Sequence, residues 1–189
     1  MFQKTIKVWG CLLLSGVVLT PTVAEAAPVK RQNSTLKWPS FRQTPNRKFV
    51  AEVAAIQYLL RSRGLAVRKI DGIFGAQTAS AVRAFQRKNG LKADGILGSK
   101  TLPKLVIRLK RGDRGDAVRA LQTLLREPMN EVGEQPFKSH AVDGVFGPKT
   151  DELVRYMQSD WIGHFGGPKT KSDGIVGPQT WCVLFGGQL

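Results

Sequence analysis

From residue 49 onward the apolar positions fall into short amphipathic stretches separated by glycine-rich turns. Val53, Ile56 and Leu60 recur at i, i+3 and i+7, and so do Val118, Leu121 and Leu125. This spacing aligns side chains along one face of an α-helix. Val82 with Phe85, and Val154 with Met157 and Trp161, mark a second amphipathic helix behind each of the first two. Each helix therefore hides one face, and each set of helices offers one small core.

Between the helices one pattern is written four times: Asp71-Gly72-Ile73-Phe74-Gly75-Ala76-Gln77-Thr78, Asp94-Gly95-Ile96-Leu97-Gly98-Ser99-Lys100-Thr101, Asp143-Gly144-Val145-Phe146-Gly147-Pro148-Lys149-Thr150 and Asp173-Gly174-Ile175-Val176-Gly177-Pro178-Gln179-Thr180. Asp-Gly makes a tight turn and the next two residues act as apolar plugs. Gly followed by Pro suits a helix start, because Pro at the first helical position gives up an N–H that has no partner there. Asp71, Asp94, Asp143 and Asp173, with Gly75, Gly98, Gly147 and Gly177, are thus assigned turn and cap roles. Pro103 lies too deep for a helix starting near Ser99, so it should shorten or displace that helix. The repeating unit is helix, turn, helix, turn, short helix, and two units fill residues 49 to 189. The expected fold is all-α: two tandem small three-helix modules over 49–107 and 108–189.

The chain opens with Lys4 and Lys7, then an apolar stretch from Val8 to Leu19, Pro21, and small residues at Ala24 and Ala26. This is the shape of a signal peptide over 1–26, cleaved before Ala27. Cys11 sits near the start of the apolar stretch, which disfavours a lipid anchor, so no stable membrane anchor is expected after cleavage. Residues 27–48 are rich in Pro, Ser, Lys and Arg, and read as a flexible basic linker, within which Trp38 and Phe41 could pack onto the first module or touch a ligand, with packing the favoured reading. Cys182 then has no disulfide partner and reads as a small buried apolar residue. The formal net charge of +15 favours polyanionic partners. Export argues against nucleic acid.

The segments Val53-Ala54-Ala55-Ile56-Gln57-Tyr58-Leu59-Leu60, Asp71 to Gly75, Ala81-Val82-Arg83-Ala84-Phe85-Gln86 and Asp94 to Gly98 resemble the peptidoglycan-binding domain family. Ala117 to Gln122, Asp143 to Thr150 and Asp173 to Trp181 resemble it a second time. The resemblance implies a three-helix module that attaches proteins to the bacterial wall, usually beside a hydrolase domain. The second unit departs from the family pattern in its longer connections, Arg126 to Val142 and Ser159 to Ser172. The function expected is non-catalytic binding of peptidoglycan in the periplasm or cell wall, without a cofactor. The alternative is an exported adaptor that recruits a wall hydrolase or another envelope protein.

Aligning the units on their first turns pairs Arg83 with Arg155 and Gln86 with Gln158. Arg and Gln three residues apart share a helix face. There an Arg fork could hold a stem-peptide carboxylate, and Gln could bond amides or sugar hydroxyls. The competing reading has Gln bracing a loop and Arg solvated. Gln57 and Gln122 read as braces for the turn loops. A calcium loop is disfavoured because Ile73, Ile96, Val145 and Ile175 stand where a second oxygen ligand belongs. His140 and His164 lack partners at a zinc spacing. Cys182 in an apolar stretch is a poor nucleophile, and Asp116 reads as the N-cap of the helix it precedes.

Overall fold

The computed structural model describes residues 36–44, 49–126, 141–161 and 172–188. The leader, His140, His164 and most of both long connections lie outside the described residues, as does the Trp161 side chain.

Among the described residues each repeat has three α-helices: α1 (Ala51–Ser62), α2 (Ala76–Lys88) and α3 (Leu102–Leu105), then α4 (Asp116–Leu125), α5 (Pro148–Tyr156) and α6 (Pro178–Leu184). A π-helical turn, Met157–Trp161, continues α5. Helices α2, α5 and α6 each begin directly after the glycine that closes a turn pattern, with Gly75, Gly147 and Gly177 in extended conformation at the N-cap. Pro148 and Pro178 open their helices as the sequence requires. Pro103 has the anticipated effect: α3 starts at Leu102 instead of Ser99 and lasts only four residues. In α1, Glu52 in the first turn and Arg61 in the last complement the helix dipole.

The expectation of one small core per repeat is corrected by the structure. Helix α1 packs along α4, and Ile56, Leu59, Leu60, Val118, Leu121, Met157 and Trp181 all belong to a single buried cluster. A three-helix repeat of this size buries too small a share of its apolar surface to be comfortably stable alone. Merging the two apolar faces supplies the missing burial.

Backbone pairing reinforces the merger. Phe41 and Leu97 exchange two hydrogen bonds of 2.8 Å each, and Leu109 and Val176 do the same at 3.1 and 2.8 Å. Leu97 and Val176 hold the same place in their turn patterns, so the stretch around Phe41 is to the first repeat what the stretch around Leu109 is to the second. Lys37 also pairs with Gln188, and Phe41 meets Phe185 edge-on at 5.9 Å. Trp38 and Phe41 pack against the core as expected, and they carry residues 36–41 of the stretch read as a linker into the fold. Cys182 is fully buried. Its Sγ lies 3.7 Å from the carbonyls of Lys37 and Gln188, and burial pushes its pKa up to about 11.

Asp116 is not the N-cap of α4; Gly115 takes that position with φ 105°, and Asp116 is the first helical residue. Its carboxylate instead receives a two-point contact from Arg61 across the repeat interface, at 2.6 and 2.9 Å, and a third hydrogen bond from Arg119 at 3.1 Å. The Arg61 guanidinium holds the Asp116 pKa below the ordinary carboxylate value. A depressed carboxylate stabilises the fold above its unfolded pKa, near 3.9, and loses that contribution as pH falls through the folded value. Asp116→Asn is therefore expected to lower stability at pH 7 by roughly 0.5–1 kcal/mol, since the pair is partly exposed. In urea titrations the difference from wild type should shrink as pH drops below about 4.

Candidate functional site

The four turn patterns are four copies of one hydrogen-bonded device. In each, a glutamine from the preceding helix reaches into the turn. Gln57 Nε2 donates to Asp71 Oδ1 (2.8 Å) and the Ile73 carbonyl (3.1 Å), while its Oε1 accepts from the N–H of Asp71 and Gly72, both at 3.0 Å. Gln86 repeats this with Asp94 (2.8 Å), Ile96 (2.9 Å) and Gly95 (2.9 Å). Gln122 does so with Asp143 (2.8 Å), Val145 (3.1 Å) and Gly144 (2.8 Å). Gln158 completes the set with Asp173 (3.4 Å), Ile175 (3.0 Å) and Gly174 (3.0 Å). Each aspartate Oδ1 also accepts the N–H two residues on, at 2.8 to 3.0 Å.

All four glutamines are at most 3% exposed. Gln86 and Gln158, the candidates for ligand contact, thus occupy the same bracing position as Gln57 and Gln122, which the sequence marks as braces. The second apolar residue of each pattern is a true plug: Phe74, Leu97, Phe146 and Val176 are at most 3% exposed. The first is not, and Ile96 stands 37% exposed, because its backbone is held by the Asp and Gln while its side chain points away. Hydrogen bonds from Gln57 and from the Ile73 N–H lower the Asp71 pKa, the glutamine acting most strongly. For Asp94 the Ile96 N–H leads and Gln86 follows.

The turn glycines are where side chains gather on the surface. Gly72, Gly95, Gly144 and Gly174 all have φ between 64 and 78°, a region that disfavours any residue with a Cβ. Over them lie Phe49, Arg83, Arg119 and Arg155 respectively. In the helices the arginines sit three residues before their glutamines; before Gln57 that place is held by Ala54, and Phe49, 62% exposed, covers the glycine instead. An open depression of about 300 Å³ adjoins the first turn of the second repeat, lined by Ala141, Asp143, Val145, Pro148 and Lys149 among others. Among the described residues no helix is long and apolar enough to cross a membrane.

Comparison with known proteins agrees with this duplicated architecture. A family model described as "Putative peptidoglycan binding domain" matches residues 50–105 and again 114–184. A "Probable N-acetylmuramoyl-L-alanine amidase" of Bacillus licheniformis is 31% identical over 153 residues, 69% of this chain and 41% of the relative. The amidase CwlL of the same organism is 41% identical over 75 residues, 40% of this chain and 21% of its own. A spore cortex-lytic enzyme of Bacillus cereus is 35% identical over 72 residues, covering 38% of this chain and 27% of the enzyme. The chain thus spans less than half of each of these relatives. No solved structure is matched. With two family matches, each falling on one helix–turn repeat, the chain belongs to the peptidoglycan-binding domain family and carries two tandem copies of its module.

Proposed function

We propose that the protein binds cell-wall peptidoglycan through its two fused modules without cleaving it, and that its N-terminal segment exports it. The observation that carries this reading is the duplication: two modules of the family, matched over residues 50–105 and 114–184, share one core. The relatives are named for acting on the wall, yet this chain matches only a fraction of their length. That partial coverage suggests the wall-binding region is what is shared. Peptidoglycan hydrolysis needs positioned acid–base or metal chemistry. The turn aspartates are spent on the turns themselves.

Dye-labelled sacculi test both halves of the reading in one tube. The protein is expected to pellet with the walls while the supernatant stays colourless. Dye release in proportion to protein would show a lytic activity and overturn the non-catalytic half. Recovery of one constant envelope protein after the wall has been digested away would move the adaptor reading ahead.

A further inference from the structure

We propose that Arg83 is the residue that reads an anion on the wall, that its ligand is a peptide carboxylate of peptidoglycan, and that its counterparts Arg119 and Arg155 are structural. The inference rests on the wall-binding reading above and assigns its polar contact to the first repeat.

Arg83, Arg119 and Arg155 occupy one position in the repeated device, three residues before the bracing Gln86, Gln122 and Gln158, and each guanidinium lies against a turn glycine. The nearest guanidinium atom stands 3.1, 2.9 and 2.9 Å respectively from where a Cβ on Gly95, Gly144 or Gly174 would be. What differs is how the N–H groups are used. Arg119 donates to Asp116 at 3.1 Å and to the Asp143 carbonyl at 3.2 Å. Arg155 donates to Asp151 at 3.0 Å and to the Ser172 carbonyl at 2.8 Å. Asp116 stands three residues before Arg119, and Asp151 four before Arg155, within reach on a helix. The corresponding residues before Arg83 are Ser80 and Ala79.

Arg83 accordingly has no hydrogen bond or ion pair among the described residues, and its side chain is exposed. Helix α2 contains no acidic residue to neutralise it, and Arg87 adds a second positive charge one turn on. The acid closest in the turn, Asp94, already has its carboxylate bonded by the Ile96 N–H and the Gln86 amide. The result is a planar fork resting against the Gly95 backbone with its donors unused. Such a fork fits a carboxylate through two parallel charge-assisted bonds. Arg119 and Arg155 could bind in that way only by first giving up bonds to their own turns.

The test measures sedimentation with sacculi stripped of phosphate polymers, using wild type, Arg83→Ala, Arg83→Lys, Arg119→Ala and Arg155→Ala, each also melted by circular dichroism. Arg83→Ala should bind roughly tenfold more weakly or worse with an unchanged melting temperature, and Arg83→Lys should recover part of the loss. Arg119→Ala and Arg155→Ala should melt lower yet, while folded, bind within about twofold of wild type. Wild type on sacculi whose carboxyls have been converted to amides should fall to the level of Arg83→Ala. The proposal is overturned if Arg83→Ala binds as wild type, if folded Arg155→Ala loses as much, or if amidated sacculi bind undiminished. An Arg83 effect seen only on unstripped walls would assign the site to phosphate and overturn the carboxylate. Wild type failing to bind unmodified sacculi would strike instead at the wall-binding reading beneath it.

Discussion

Trp181→Ala is expected to cost about 3–5 kcal/mol, the range for truncating a large buried aromatic. Trp181 is fully buried, stacked on Phe185 at 5.8 Å, and its Nε1–H donates to the Ile107 carbonyl at 2.7 Å. Ile107 lies in the stretch joining the repeats, and Phe185 in turn touches Phe41. One indole therefore ties α6, the joining stretch and the N-terminal segment together. Its removal leaves both a cavity and a carbonyl without its donor, and the two penalties add. Trp181→Phe separates them: much of the volume stays while the hydrogen bond goes, at about 1–2 kcal/mol. Urea unfolding followed by far-UV circular dichroism measures both. Because the core is continuous, a single transition is expected, and two separated transitions would show that the repeats unfold independently.

Gln122→Leu should destabilise by about 2–4 kcal/mol although the volume hardly changes, because leaving buried partners unsatisfied costs more than a hydrogen bond contributes. The substitution strips the Gly144 N–H of its acceptor and removes one donor each from the Asp143 carboxylate, which keeps the Val145 N–H, and from the Val145 carbonyl, which keeps the Thr150 hydroxyl. Gln122→Glu is the sharper control. Its carboxylate could still accept from Gly144, but it would face Asp143 and the Val145 carbonyl with the wrong sign. It should be more damaging at pH 7 than near pH 4, where protonation restores a donor. Equal damage at both pH values would mean that the amide acts by shape alone.

The helices and turns were legible because hydrophobic spacing and the Asp-Gly pattern are local. Pro103 and Pro148 also act where they stand, so their effects on helix boundaries could be anticipated. The equivalence of the four glutamines was harder to see. Gln57 stands 14 residues before its aspartate, Gln86 8, Gln122 21 and Gln158 15. The intervening connections vary freely while the brace does not, and the signal was that every one of the four directly follows a core position. Which apolar face packs on which was not legible, since periodicity shows that Ile56 and Leu121 are hidden but not that they share a core. The same limit applies to Asp116, whose partner Arg61 lies in the other repeat, and to Phe41, whose pairing with Leu97 becomes recognisable only beside that of Leu109 with Val176. Arg83 and Arg155 look alike in sequence; the difference between them lies one helical turn away, in Ser80 and Ala79 against Asp151.

The most direct measurement of the central claim is sedimentation of the purified protein with peptidoglycan at low and at physiological salt. General attraction of a basic protein to a polyanion weakens steeply as salt screens it, whereas specific recognition keeps a salt-resistant part. The account predicts binding at both salts. Binding that disappears at physiological salt, or is absent throughout, would contradict it.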